Sequence, residues 1–113
     1  MATDIHAKMR FSSISAQKVR LVVDLVRGKK AVDAMNTLKF LPNNAAREVS
    51  KLLTSAVSNA EENFGVSRDD LTVHKIFADE APTRKWRRFG ARGRFKPVLR
   101  RSSHITIVLR EKE

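Results

Sequence analysis

The chain has 113 residues, 42% of them apolar, with 23 Lys plus Arg against 12 Asp plus Glu and no cysteine. That length suits one domain with one modest core, and the apolar fraction argues against disorder for most of the chain. The composition excludes a disulfide framework, a thiolate nucleophile and cysteine-ligated zinc, and the surplus of eleven positive charges favours an acidic partner, either nucleic acid or an anionic membrane surface.

At the N-terminus, Met1 to Phe11 lacks a basic stretch followed by an apolar run, so it is not read as a secretory signal. No uninterrupted apolar run approaches the roughly 18 residues of a membrane span. Ile5, Ala7, Met9 and Phe11 alternate with His6, Lys8 and Arg10, which predicts a half-buried strand. Ser13 or Ser15 then suits a helix cap. Val19, Val22, Val23 and Val26 recur at helical spacing, Leu21 and Leu25 are expected to widen that apolar face, and Gly28 is a natural stop. A short second helix gathers Ala31, Ala34, Met35, Leu38 and Leu41 and ends at Pro42.

Asn43 or Asn44 can cap a third helix whose apolar stripe runs through Ala46, Val49, Leu52, Leu53, Ala56, Val57, Ala60 and Phe64 to Gly65. Glu61 and Glu62 stand near its C-terminus, where the helix dipole disfavours them, and Arg68 is a candidate neutralising neighbour. Leu71 to Asp79 is rich in strand formers, but its alternation slips at Lys75–Ile76, the mark of a bulge or of two partly covered faces. Ile105, Ile107 and Leu109 define a last strand.

Between these two strands lies the most distinctive segment. Thr83 to Arg101 contains no acid and nine cations: Arg84, Lys85, Arg87, Arg88, Arg92, Arg94, Lys96, Arg100 and Arg101. The remaining 94 residues carry 14 cations against 12 acids and are nearly neutral. Trp86, Phe89 and Phe95 sit among the charges, so the segment offers flat rings for stacking and guanidinium groups for phosphates. Gly90 and Gly93 near its middle supply the freedom of a hairpin tip. Pro82 and Pro97 cannot donate ladder hydrogen bonds, which predicts irregular pairing. The expected fold is α+β, with three helices packed on a small three-stranded antiparallel sheet and a long projecting basic β-hairpin. The whole chain is one domain, its body formed by residues 1–80 and 102–113 and its arm by 81–101.

Catalytic chemistry finds no support. His6, His74 and His104 are far apart in sequence, and a surface strand histidine is the commoner case. Asp69–Asp70 and Asp79–Glu80 match no calcium-loop spacing. Gly90 to Gly93 lacks the Gly-Lys-Ser/Thr ending of a phosphate loop. The chain is read as a non-enzyme without cofactor or metal. A solvated charged face or an import signal would need neither interleaved aromatics nor a glycine tip, and seven Arg against two Lys suits bidentate phosphate pairing. A membrane-bound amphipathic helix is disfavoured by the same glycines and prolines. RNA is favoured over DNA because no recognition helix carries the charge. Lys8, Arg10, Lys18, Arg20, Arg27, Lys29 and Lys30 are further candidates for backbone phosphates, balanced against ordinary solvated surface charge.

Four blocks, Ser15–Lys30 (SAQKVRLVVDLVRGKK), Ser55–Asn63 (SAVSNAEEN), Lys75–Pro82 (KIFADEAP) and Arg100–Leu109 (RRSSHITIVL), together resemble the family of large-subunit ribosomal protein twenty-two in its bacterial form. The resemblance covers nearly the whole chain. It implies a body near the exit of the peptide tunnel and a hairpin threading inward through ribosomal RNA, with neighbouring large-subunit proteins and the nascent peptide as further partners. It implies early assembly and a cytoplasmic or organellar ribosome. By position, Arg84, Lys85 and Trp86 match the stretch linked to macrolide response. Arg92, Gly93, Arg94 and Phe95 match the tunnel-facing tip, taken as a whole to be Phe89, Gly90, Ala91, Arg92, Gly93, Arg94 and Phe95. Two departures stand out: Ala81 where many members have Gly, and the large ring of Phe95 where members often have a small residue. The competing function is a free-standing nucleic-acid chaperone or nucleoid-type protein.

Overall fold

A computed structural model describes residues 4–89 and 95–111, with 84–89 and 95–100 described as backbone. The elements in order are β1 (Asp4–Ser12), α1 (Ala16–Val26), α2 (Ala31–Lys39), α3 (Asn44–Phe64), a 3-10 turn (Arg68–Asp70), β2 (Leu71–Glu80), β3 (Arg84–Phe89), β4 (Phe95–Arg100) and β5 (Ser103–Glu111). The fold is α+β. Three strands form an antiparallel sheet in the order β1-β5-β2, and β3 pairs with β4 in a second, two-stranded sheet.

The sheet turns one face to the helices. Ile5, Ala7 and Met9 of β1 stand in register with Leu109, Ile107 and Ile105 of β5, and Val73, Ile76 and Ala78 of β2 align with the same three residues. Apart from Ala7 and Met9, which are half-buried, all of these are buried. The change from odd to even positions along β2 comes from a bulge at His74, between Val73 and Lys75. This is the slip legible in the sequence: one extra residue re-phases the strand so that Ile76 and Ala78 return to the core.

The helices supply the other side of the core. Val19, Val22, Val23 and Val26 of α1 are all fully buried. β-branched residues lose side-chain freedom in a helix, so α1 is held by packing more than by propensity. Leu21 and Leu25 do not join them. They are 67% and 47% exposed, because an 11-residue helix seated on one valine stripe leaves its far side in solvent. α3 buries Ala45, Ala46, Val49, Leu52, Leu53, Ala56, Val57 and Ala60, while Phe64, beyond the end of the sheet contact, is 51% exposed. Gly65 ends α3 in the left-handed conformation, with φ 65°. Arg68 binds Glu61 at 2.8 Å and relieves the acidic end of the helix, as the sequence suggested.

The two edges of the sheet differ. Beyond its bulge, β2 turns the carbonyls of Ile76 and Ala78 away from β5 and toward α1. Arg20 donates to the Ala78 carbonyl through Nε at 3.2 Å and Nη2 at 3.1 Å, and Arg27 Nη2 donates to the Ile76 carbonyl at 3.0 Å. Nearer its start, β2 is bonded by the chain leaving α1: Gly28 N–H donates to Val73 and Val73 N–H donates to Lys29. An edge strand otherwise offers a template for unwanted pairing, and here backbone and guanidinium groups occupy it.

Candidate nucleic-acid interface

The basic segment begins where the three-stranded sheet stops. Ala81 N–H donates to the Ser102 carbonyl at 3.0 Å, closing the base between β2 and β5. β3 and β4 then pair without a register shift from Arg84↔Arg100 to Phe89↔Phe95, with Pro97 opposite Arg87. The break in pairing therefore falls at 81–83 and 101–102, around Pro82, and not at Pro97. Two of the six register pairs, Arg84↔Arg100 and Arg88↔Lys96, oppose cation to cation. Like charges at opposed positions disfavour pairing, and a polyanion alongside removes that penalty. Gly90, Ala91, Arg92, Gly93 and Arg94 lie outside the described residues. Lys85, Trp86, Phe89, Phe95 and Lys96 are placed by strand register alone.

At the root of this segment Arg101 meets the body. Arg101 and Lys18 line one groove of about 730 Å³ with Ser15, Asn43 and Asn44. Ser15 and Asn43 are the residues preceding α1 and α3, and neither side chain caps its helix. Two helix N-termini without side-chain caps and two cations thus border the same depression, an electrostatic setting suited to anions.

The remaining candidates divide. Arg20 and Arg27 are committed first to the β2 edge, and Arg27 also pairs with Asp24 at 2.7 Å. Lys29 and Lys30 belong to the stitched segment after α1, where both are exposed; Lys29 Nζ reaches Thr37 Oγ1 at 3.4 Å, and Lys30 bridges Thr72. Lys8 and Arg10 stand on the sheet face turned away from the helices. The sequence reading missed Lys75, which the bulge sets on that same face. The signal was the slip at Lys75–Ile76, whose consequence depends on the register with β5.

Of the three histidines, His104 serves the sheet. His104 Nδ1 accepts a hydrogen bond from Phe11 N–H at 3.0 Å, and its ring meets Phe11 edge-on, centroids 4.7 Å apart. Among the described residues no three His, Asp or Glu side chains are grouped to hold a metal ion, and no helix is long and apolar enough to cross a membrane. Asp4 is held below the ordinary aspartate range, chiefly by the hydrogen bond from Arg110; burial works weakly the other way, and the charges of Arg110, His74 and His6 add to the lowering.

Comparison with protein families agrees with this arrangement. The family model described as ribosomal protein L22p/L17e matches residues 7–110, which takes in all three helices, β2, most of β1 and β5, and the basic segment. The chain belongs to the L22p/L17e family of ribosomal proteins, and is a structural constituent of the large subunit.

Proposed function

We propose that this protein binds large-subunit ribosomal RNA mainly through the segment 81–101, acting as an arm on the body formed by 1–80 and 102–113, and that the arm's tip, 89–95, lines the peptide exit tunnel. The observation that carries this reading is the union of charge and topology. Nine cations and no acid fall in Thr83–Arg101, and that stretch forms a two-stranded ladder of its own outside the core sheet. The molecule measures 64 Å along its longest axis against 25 and 19 Å across, long for a 113-residue chain. Each phosphate neutralised releases condensed counterion, so binding is electrostatic and salt-sensitive.

In this reading Arg84, Lys85, Arg87, Arg88, Lys96, Arg100 and Arg101 pair with phosphates, and Trp86 stacks. Arg92 and Arg94 act at the tip. Lys8, Arg10, Lys18, Lys29 and Lys30 add contacts from the body, while Arg20 and Arg27 chiefly hold the fold. Neighbouring ribosomal proteins and the nascent peptide are the further partners.

The test removes the arm. Because Ala81 and Ser102 are already hydrogen-bonded, a short glycine turn can join them in place of the residues between. The shortened chain should unfold cooperatively and bind a ribosomal RNA fragment at least a hundredfold more weakly. An unchanged affinity refutes the arm as the main anchor. Equal binding to DNA and RNA, with no association with large subunits, would favour a free-standing chaperone role.

A further inference from the structure

Helices cover only one face of the three-stranded sheet. The other face is built in rows across β1, β5 and β2: Asp4, Arg110 and Thr72; His6, Val108 and Lys75; Lys8, Thr106 and Phe77; then His104 and Asp79, with Arg10 following on β1. A solvated face is ordinary for an antiparallel sheet. Its contents are not. Phe77 is 40% exposed at the centre of its strand, in the same row as Lys8 and one position on from the row of Lys75. Phe11 is 63% exposed beside Arg10 and packs edge-on to His104.

Phe11 also has φ 56°, a left-handed conformation that the Cβ of a non-glycine residue disfavours. It sits in the register shift between Met9 and Ser12, and its N–H is held by His104. The backbone therefore keeps a large ring in solvent at a position where a strand would otherwise alternate it back into the core. Strain of this kind, once observed, is a pointer to function.

We propose that this open sheet face is a second RNA-binding surface, separate from the arm, on which unpaired bases stack on Phe77 and Phe11 while Lys8, Arg10 and Lys75 hold the adjoining phosphates. The proposal rests on the reading of the chain as an RNA-binding protein and adds a site to it. Charge favours a polyanion. Of the two acids on the face, Asp4 is bound by Arg110, leaving Asp79 against three cations that form no ion pair among the described residues. A protein partner would want a contiguous apolar patch depleted of charge. Here the polar row of His104 and Asp79 stands between the two rings, and Val108, in the row on the other side of Phe77, is already buried. Sheet faces that carry exposed aromatics among cations bind single-stranded RNA by this means, and stacking tolerates any base.

The experiment titrates the full chain with a single-stranded oligouridine eight nucleotides long, and follows both affinity and the ring protons of Phe77. Those protons should move upfield as a base stacks over the ring. Phe77→Ala and Phe77→Leu should weaken binding about fivefold or more, Phe77→Trp should retain it, and Lys75→Ala should lower the salt slope by roughly 0.7. The half-exposed position lets all four variants fold, checked by their melting temperatures. Wild-type affinity in Phe77→Leu, or ring protons that do not move while the chain still binds the oligonucleotide, overturns the sheet proposal and leaves the arm intact. Failure of the wild type to bind RNA at all overturns the underlying reading instead. A benzophenone amino acid at position 77 in intact subunits should cross-link to RNA; a protein adduct overturns the proposal.

Discussion

Arg20 and Arg27 are the cations whose role the structure changes most, and their replacement separates fold from binding. Arg20→Met keeps the aliphatic stem and removes both N–H groups from the Ala78 carbonyl. A net hydrogen bond contributes about 0.5–1.5 kcal/mol, and a charged donor lies at the upper end. The guanidinium is exposed, however, and the orphaned carbonyl can take water, so about 1 kcal/mol is expected for the residue as a whole. In a domain of this size that lowers Tm by about 4 °C. Arg27→Met loses the Ile76 carbonyl and the Asp24 pair. The pair is a surface one and contributes little, so a second loss of about 1 kcal/mol is expected. Seven residues along a helix separate the two sites by about 10 Å, far enough for the effects to add, giving about 8 °C in the double variant. Arg20→Lys restores the charge but not the two-pronged geometry, and should recover only part of the stability. Affinity for a ribosomal RNA fragment, measured across a salt series, should keep its slope. The reasoning is refuted if Tm stays within 1 °C while the slope falls by roughly 0.7–0.9 per arginine, the signature of a lost phosphate contact.

Two further outcomes follow from the body. Leu53 is fully buried on α3, and Leu53→Ala should cost about 2–5 kcal/mol as a shift of the urea midpoint at unchanged slope; a loss under 1 kcal/mol would mean the helices collapse into the gap. Asp4 has its carboxyl lowered in the folded state by the Arg110 hydrogen bond. A depressed carboxylate contributes stability above its unfolded value, near pH 4, and loses that contribution as pH falls through its folded value. Asp4 should therefore titrate below the ordinary aspartate range by NMR and move upward in Arg110→Met, and an unmoved titration would contradict the cause assigned.

Local signals made much of this fold legible. The alternation of Ile5, Ala7 and Met9, the valine spacing of α1, the stripe of α3 and the glycine stop at Gly65 all depend on neighbours within a few residues. The broken alternation near Lys75 pointed to a bulge that the register confirms. What stayed hidden depends on distant partners. Arg20 and Arg27 bind backbone carbonyls, and a carbonyl has no residue-type signature. Leu21 and Leu25 looked like core because their period fits a helix, yet the period does not say how wide a stripe the sheet will cover. The left-handed backbone of Phe11 has no sequence mark, since glycine and asparagine are the residues that advertise it. In the candidate interface the charge concentration was plain from composition, whereas the row joining Lys8 to Phe77 needed β5 between them.

The way cations are spent gives these observations a common logic. Outside Thr83–Arg101 the chain holds nearly equal numbers of acids and bases, and ion pairs or carbonyls engage several of those bases: Arg68 with Glu61, Arg110 with Asp4, Arg27 with Asp24 and Ile76, Arg20 with Ala78. Such groups fasten α1 to the sheet and the end of α3 to the turn before β2, and close the β2 edge without any RNA. Among the cations left to face outward are Lys8, Arg10 and Lys75 on the open sheet face and Lys18 beside Arg101 in the groove at the arm's root. A body that folds on its own ion pairs can present these few groups in fixed positions, while the cations opposed across the β3–β4 ladder would be relieved by a polyanion placed beside them. Salt should then act unequally on the two parts, weakening RNA capture by the arm steeply while leaving the stability of the body nearly unchanged.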